Sequence, residues 1–493
     1  VALGELRFDR HDITPDVASC LRAVATDAAA VALKRLSERN RAMYSLLAVY
    51  HSRVKSLKAR SGVYTFTDLK RLFESESLRG ILPEVYFRID CQIAHVLLDE
   101  FQDTSRLEWN VLLPVVEEIL SQDDSQNSFF CVGDVKQAIY GWRGGVAEIF
   151  NSLSESWPHV KAENMDETFR CSADVIAFVN AFFGALPHSS LLSEYAPIKN
   201  KWEKYFSNHK AHFNHAGFVS LLEYDSTSVA EIVPEFGPEI RRILNAAPGA
   251  TVGILVRTNQ EVSDAVLSLS AALPDLTVSQ EGGVLFVHYP LVNLIASFFH
   301  LLDHPGDSVR WFHIASTPLA EYLGLEDGAS LAKRQAAIHT VRRRLFRRGY
   351  TTVLFEVCKA LEEIASQEER KQLERLRAVA QTFTPFHPLR TVEFASWICR
   401  QKDEDSRVAQ VRVMTVHQSK GLEFDAVFLP ALAFDLEGRP SRVADMYRTS
   451  PLEPPEKICL KTNEFERAVI PELEEAHRYE CSRQVTESLG LLY

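Results

Sequence analysis

The sequence has 493 residues, enough for about two to four domains, and its 46% hydrophobic and 24% charged residues exclude a largely disordered chain. No apolar run reaches the roughly 18–20 residues that cross a bilayer, and the eight cysteines form no CxxC pair, so we expect no membrane span and no zinc ribbon, in a reducing, cytoplasmic setting. The formal net charge of −12 argues weakly against nucleic acid as a partner, although it does not exclude a basic groove on an acidic body.

Residues 1–75 are predicted to be helical, because alanine-rich segments there carry apolar residues at helical spacing. IAHVLL (93–98) is a short apolar run that predicts a strand buried on both faces. A helix is expected over about 105–120, followed by a second strand, FFCV (129–132). A strand, a helix and a strand in this order predict a parallel sheet.

Four later segments are predicted strands: GFVSLLEY from 217, TVGILVR (251–257), VRVMTV (411–416) and AVFLPAL (426–432). Residues 285–400, which separate the second from the third, are predicted to be mainly helical. The simplest interpretation is a second α/β domain that a helical insertion interrupts.

LLDEFQDTS (97–105) places two carboxylates at the carboxyl end of a predicted strand, where open α/β sheets bind ligands. Asp99 could hold Mg²⁺, a cation that prefers oxygen ligands, and Glu100 could accept a proton from an attacking water. A bare Asp-Glu pair is more often a solvated strand end, so the full string carries the prediction.

CVGDVKQAIYGWRGG (131–145) follows the second predicted strand. Gln137 could sense a terminal phosphate or position a water. Tyr140, Trp142 and Arg143 group two aromatic rings with a cation, which suits single-stranded nucleic acid because every base can stack. The alternative, that the two rings are core residues, carries equal weight.

Two further segments have polar candidates. Phe169 and Arg170 precede a predicted helix, and this arginine could meet phosphate charge, although a lone arginine is more often a surface ion pair. The loop TVHQSKGLEF lies between two predicted strands and concentrates four polar side chains around one glycine: Thr415, His417, Lys420 and Glu423 around Gly421.

In this order, LLDEFQDT, VGDVKQAIYGWRGG, TFRC and MTVHQSKGLEF resemble helicase motifs II, III, IV and V of the UvrD/Rep class in superfamily one. The segments KQAIYGWRGG and HQSKGLEF are more similar to those of AddA and RecB, the recombination helicase-nuclease subunits, than to those of UvrD. The resemblance implies an α/β fold with two RecA-like parallel-sheet motor domains and helical insertions, in a 1A/1B/2A/2B arrangement with an incomplete first domain. It also implies an ATP-dependent 3′–5′ DNA helicase of double-strand break repair and recombination.

The same resemblance implies a division of the chain: a helical 1B-like region (1–75), the rest of 1A with motifs II–IV (76–210), the first part of 2A (211–309), a helical 2B-like insertion (310–402) and the second part of 2A with motif V (403–493). The implied partners are single-stranded and duplex DNA and an AddB/RecC-like subunit.

Residue roles are also implied by the resemblance, with ATP and Mg²⁺ as cofactors and Asp99 as the metal ligand. Catalytic roles fall on four residues: Asp99, Glu100, Gln137 and Arg170. Nucleotide contacts fall on five: Gln102, Asp134, Phe169, Gly421 and Glu423. DNA contacts fall on six: Tyr140, Trp142, Arg143, Thr415, His417 and Lys420.

One expected motif is missing from the sequence. None of the 21 glycines is followed by lysine, so the phosphate-binding loop GxxxxGK[ST] is absent, and so is motif VI. We therefore interpret the chain as truncated at both ends and expect negligible ATPase activity from it alone. The alternative hypothesis is a non-catalytic DNA-binding or scaffold protein with a helicase-like fold.

Overall fold

Helices dominate the fold, and short parallel sheets carry the polar strand ends that the sequence indicated. The computed structural model describes residues 7–8, 11–75, 78–121, 126–281, 284–326, 328–384, 390–403, 409–430, 432–438, 444–448 and 450–493. The chain divides into two units. Unit 1 comprises Val1–Glu223 and Ala433–Tyr493, and unit 2 comprises Tyr224–Leu432.

Unit 1 begins with two short strands that pair with each other, where only helix was expected, and continues with a long helix and then short alternating elements. The strands are β1 (Arg7–Phe8), β2 (His11–Asp12), β3 (His95–Leu98), β4 (Ser128–Cys131), β5 (Glu167–Thr168) and β6 (Lys210–Ala211). The helices are α1 (Pro15–Ser61), α2 (Phe66–Ser75), α3 (Leu78–Ile89), α4 (Arg106–Ser121), α5 (Glu148–Ser156), α6 (Ala173–Ala185) and α7 (Ala196–Tyr205).

The signals that bound α1 are visible in its sequence. Pro15 occupies the first turn, where its missing N–H would have no helical partner in any case. Gly62 ends the helix in the left-handed region, at φ 65°, which glycine adopts without a Cβ penalty. The predicted helical character of this region is therefore explained by both its composition and its ends.

Strands β3 and β4 pair in parallel, as predicted, with Leu97 opposite Phe130. One face of this pair packs on a buried cluster that helices α4 and α5 supply, with Phe101, Trp109, Val116, Ile149 and Leu153. On the other face, Leu97 is 71% exposed and Phe130 is 59% exposed. The expectation that β3 is buried on both faces is wrong, because only one face of this pair is covered.

Unit 2 contains a parallel sheet and a helical part. Its strands are β7 (Val252–Val256), β8 (Val278–Gln280), β9 (Val284–Leu285), β10 (Lys402–Asp403), β11 (Val411–Thr415) and β12 (Ala426–Phe428). Its helices are α8 (Val229–Ile232), α9 (Gly237–Ala246), α10 (Asn259–Ala272), α11 (Pro290–Asp303), α12 (Ser308–Ala315), α13 (Pro318–Tyr322), α14 (Leu331–Leu361), α15 (Gln367–Ala380), α16 (Thr391–Arg400) and α17 (Val416–Ser419).

The main sheet of unit 2 has the order β12-β7-β11-β8, and all its pairs are parallel. In the sequence, its strands β7 and β8 precede the helical part, α11–α16, and β11 and β12 follow it. This helical part has a buried core of its own. The prediction that GFVSLLEY forms a strand is wrong: residues 217–224 have no strand assignment, and Phe218 is 75% exposed. Apolar spacing describes which side chains can be buried, and it does not supply a hydrogen-bonding partner.

After unit 2 the chain returns to unit 1 with four elements: β13 (Ala444–Tyr447), β14 (Lys457–Leu460), α18 (Glu464–Val469) and α19 (Pro471–Leu492). Helix α19 contributes Val485 and Leu489 to a buried cluster with Phe183 and Trp202 from α6 and α7. Across the described ranges, every helix is too short or too polar to cross a membrane.

Candidate nucleotide and DNA site

The first group of site residues follows the carboxyl ends of β3 and β4. Asp99 and Glu100 are exposed directly after β3. Glu100 has φ 52°, in the left-handed region that non-glycine residues rarely adopt and that costs about 1–2 kcal/mol. Its backbone N–H donates to the Asp99 carboxylate at 2.8 Å. The left-handed conformation of Glu100 and this hydrogen bond together hold both carboxylates at the strand end.

A chain of hydrogen bonds connects this strand end to the next one. Gln102 is 1% exposed; its amide donates to Glu100 at 2.6 Å and accepts from the backbone N–H of Asp134 at 3.0 Å. The Asp134 carboxylate in turn accepts from the Gln137 amide at 3.2 Å and pairs with Lys136 at 2.7 Å. Asp134 therefore links the carboxylates after β3 to the loop after β4.

Glycine is required between these two strand ends. A Cβ added at Gly133 would lie 2.6 Å from the side-chain oxygen of Gln102. Any larger residue would push this buried amide out of its bridging position. The Gly-Asp pair that ends β4 is therefore part of the connection between the two motifs.

The fit of a magnesium ion follows from the ligands at this edge. Magnesium is usually held by one or two carboxylates, with water and phosphate oxygens completing its shell. Asp99 offers such a carboxylate, next to Glu100. Among the residues that the structure describes, no three His, Cys, Asp or Glu side chains are grouped so that they could hold a metal by themselves. The Asp99 carboxylate fits a magnesium ion whose remaining ligands are water and phosphate oxygens.

Of the aromatic residues of the second motif, Trp142 lies on the turn Gly141–Arg143 and Tyr140 directly precedes it. Trp142 is 63% exposed, and its ring centroid is 6.4 Å from that of Tyr140. The Arg143 guanidinium lies 5.5 Å from the Tyr140 ring and 5.8 Å from the Trp142 ring. The core interpretation is wrong for Trp142, whose ring faces solvent beside a cation.

Phe169 and Arg170 follow β5, which pairs with β6 in a two-stranded sheet of unit 1. The Phe169 ring is 60% exposed and lies 4.1 Å from the ring of His212, which follows the paired strand β6. Arg170 is exposed, and its backbone N–H donates to Thr168 at 3.3 Å. Ser172 caps the following helix α6. The assigned roles of Phe169 and Arg170 stay predictions.

In unit 2 the polar loop follows β11, at the carboxyl edge of the parallel sheet. Thr415 begins the short helix α17 and shares a reciprocal capping arrangement with Gln418. Gly421 has φ 82°, which explains the need for glycine there. His417 and Lys420 are half-buried, and Glu423 is exposed. Because the Thr415 hydroxyl is used within the loop, its assigned DNA contact stays a prediction.

Sequence reasoning did not single out Lys136 and Gln418 at these sites, nor Asp425, which lies at the amino end of β12. Lys136 pairs with Asp134, and Gln418 caps the motif V loop. Asp425 accepts from the backbone N–H and hydroxyl of Thr251 at 2.7 and 2.8 Å, and these hydrogen bonds lower the pKa of Asp425. A Thr followed three residues later by Gln is a capping signal that could have indicated Gln418. No local signal links Asp425 to a residue 174 positions away.

Comparison with protein families shows which family contains this set of motifs. Residues 12–158 match the UvrD/REP helicase N-terminal domain, and residues 330–436 match the UvrD-like helicase C-terminal domain. Together the two matches cover slightly more than half of the chain. The chain belongs to the UvrD/REP helicase family. The sequence-based identification is thereby confirmed, and the matched ranges of this UvrD/REP family member include the motif II, III and V residues.

Individual relatives of this UvrD/REP family member are distant. It is 22% identical over 438 residues to RecBCD enzyme subunit RecB of Chlamydia muridarum, covering 81% of the chain and 40% of that protein. It is 24% identical over 284 residues to ATP-dependent DNA helicase UvrD1 of Mycobacterium tuberculosis, covering 56% and 33%. Over 459 residues it is 22% identical to an ATP-dependent helicase/nuclease subunit of Lactobacillus delbrueckii subsp. bulgaricus, covering 77% and 36%. The chain thus spans two fifths or less of each of these relatives.

Proposed function

We propose that this chain carries part of an ATP-dependent DNA helicase motor. The observation that carries the proposal is the hydrogen-bonded path from Glu100 through Gln102 to Asp134, which leads into the loop with Trp142 and Arg143. It connects carboxylates suited to nucleotide hydrolysis with an exposed aromatic and cationic surface suited to single-stranded DNA. Coupling of this kind is what a translocating motor requires.

Within this proposal, Asp99 would hold Mg²⁺ with the nucleotide, and Glu100 would accept a proton from the attacking water. Bound Mg²⁺ would supply positive charge against the phosphate oxygens. Gln137, through its bond to Asp134, would transmit the state of the nucleotide to the loop that follows. Arg170 would supply a further positive charge to the transferred phosphate.

The finer function that we propose follows the relatives named above. The chain would act on single-stranded and duplex DNA in the 3′–5′ direction, in double-strand break repair and recombination, with an AddB/RecC-like partner subunit in the cytoplasm. In unit 2, the motif V residues would supply nucleotide and DNA contacts of their own. The division into 1A, 1B, 2A and 2B regions stays part of this proposal.

A second candidate is a DNA-binding or scaffold protein without ATP turnover. The absence of GxxxxGK[ST] from the sequence favours it, because the loop's backbone amides and lysine cradle the phosphates. The presence of Asp99, Glu100 and Gln137 in the sequence favours the helicase motor, since a scaffold has no physical need for hydrolytic carboxylates. The two candidates agree on DNA binding and differ on ATP turnover.

Titration with a labelled single-stranded oligonucleotide tests the DNA-binding part of the proposal. We expect Trp142→Ala to weaken binding by ~1–3 kcal/mol, the loss typical of one stacked base. The control is Tyr44→Ala, which removes an aromatic ring that is 76% exposed on α1. Equal affinities of the Trp142→Ala and Tyr44→Ala variants would show that this loop does not contact the strand.

A further inference from the structure

The last helix of the chain, α19, lies against the loop after β4 within unit 1. Three residues on one face of this helix make the contacts, at a spacing of three: Glu487, Gly490 and the terminal Tyr493. A Cβ added at Gly490 would lie 2.8 Å from the backbone carbonyl oxygen of Lys136. The Tyr493 ring lies 5.4 Å from the Lys136 ammonium, and its hydroxyl bonds to Asp134. The helix therefore follows the loop from Asp134 onward.

Glu487 makes the contact nearest to the aromatic turn. Its carboxylate accepts a hydrogen bond from the backbone N–H of Trp142. A Cβ added at Gly141 would overlap the same carboxylate, so the turn approaches the helix as closely as glycine permits. The backbone that carries the Trp142 and Arg143 side chains is thus held by Glu487 of α19, in addition to the turn's own hydrogen bonds from Arg143 N–H to the Tyr140 carbonyl and from Gly144 N–H to the Gly141 carbonyl.

The Glu487 side chain is itself held in place. Its carboxylate is 3.2 Å from Arg483, whose guanidinium also bonds to Glu480 at 2.6 and 3.1 Å. The Glu487 side chain is only 14% exposed, and burial raises the pKa of Glu487 although Arg483 opposes this shift. A half-buried, ion-paired carboxylate has reduced rotational freedom, so it can act as a fixed acceptor.

We propose that Glu487 is a positioning residue that holds the turn Gly141–Arg143 in its DNA-binding conformation. This inference rests on the proposed function of that turn. Glu487 does not contact the strand; it acts through the Trp142 backbone amide and through close packing on Gly141. Its removal frees the turn and lowers the fraction of molecules in which Trp142 and Arg143 are correctly oriented, which reduces apparent affinity by that fraction.

The test compares three variants on the same helix in the full chain: Glu487→Ala, Glu487→Gln and, as matched control, Glu475→Ala at a position far along the helix from the turn. The first readout is the fluorescence anisotropy of Trp142, taken as the difference between each protein and its Trp142→Phe version. This signal reports the mobility of the turn and needs no DNA. The second readout is the affinity for an oligothymidine strand.

We expect Glu487→Ala to lower the Trp142 anisotropy and to weaken oligothymidine binding about threefold to tenfold, the effect of one lost hydrogen bond. Glu487→Gln keeps an acceptor oxygen, so it should retain most of both signals, and Glu475→Ala should change neither. In the Trp142→Ala background, Glu487→Ala should cause a smaller further loss of affinity, because only Arg143 is then left to be oriented. Equal Trp142 anisotropy in Glu487→Ala and Glu475→Ala would overturn the proposal.

A second variant covers the case in which Glu487→Ala does not fold. Gly141→Ala places a methyl group against the carboxylate from the loop side, at a half-buried position outside the core clusters. We expect it to lower the Trp142 anisotropy as Glu487→Ala does; an unchanged anisotropy would contradict the inferred contact. If Trp142→Ala leaves DNA binding unchanged, the proposed function fails, and the anisotropy series still decides the role of Glu487.

Discussion

Gln102, whose side-chain amide is buried, is the residue on which the candidate site most depends. It is a donor to Glu100 and an acceptor for the Asp134 backbone, and it is 1% exposed. The Asp134 N–H is part-buried, so losing this acceptor carries a desolvation cost that water relieves only in part. The connection between the two motifs is therefore also a source of stability.

We predict that Gln102→Met lowers the free energy of unfolding by ~1–3 kcal/mol, because the side-chain volume is kept while the Asp134 amide loses its acceptor. Urea unfolding followed by tryptophan emission measures this, since four of the six tryptophans lie in unit 1. The control is Gln92→Met, at an exposed position of the same unit. Identical unfolding midpoints for the two variants would argue against the bridge.

At the scale of single residues, the sequence indicated which side chains belong to the candidate site better than it indicated their contacts. The spacing of Asp99 and Glu100 placed them at a strand end, and the group of Tyr140, Trp142 and Arg143 was recognisable as a possible stacking surface. The role of Gln102 came from family resemblance alone. Glu487 carries no motif signal, because its partner loop lies some 340 residues earlier and only the folded chain brings them together.

Among the elements, the pair β3–β4 is distinctive because one of its faces is open. Leu97 and Phe130 lie opposite each other on that face and are both largely exposed. An exposed apolar face is a surface on which chains associate. The polar ends of these strands form the site, so this face lies close to the candidate chemistry.

We predict that Leu97→Thr combined with Phe130→Thr reduces self-association and changes the free energy of unfolding by no more than about 0.5 kcal/mol, since both side chains are already exposed. Light scattering over a concentration series measures the association. The control, Leu57→Thr, changes a residue that is 57% exposed on α1. Association that persists unchanged in the double variant would place the contact surface elsewhere.

The prediction of strands succeeded where an apolar segment also has a neighbouring strand with which to pair. TVGILVR and VRVMTV form neighbouring strands β7 and β11, which pair in parallel and are largely buried. GFVSLLEY has the same apolar character and forms no strand, since no partner strand lies beside it among the described residues. Within AVFLPAL the structure describes a strand over Ala426–Phe428, where β7 offers a partner, and residue 431 lies outside the described residues.

For the whole molecule, sequence order and spatial grouping differ. The last 61 residues, which follow motif V, group with the first 223 and carry the helix that contacts the motif III loop. Composition gave no indication of this, because long-range packing depends on matched surfaces and not on local pattern. The same return of the chain supplies Glu487 and Tyr493 to the candidate DNA-binding loop.

The central claim is that this chain carries the hydrolytic carboxylates and the strand-binding loop of a helicase motor without a phosphate-binding loop in its own sequence. ATP turnover by the purified chain, with and without single-stranded DNA and beside its Glu100→Gln variant, tests this claim most directly. We predict that both proteins hydrolyse ATP at the background rate, because their sequence provides no phosphate cradle. Turnover that DNA stimulates and Glu100→Gln abolishes would contradict the claim.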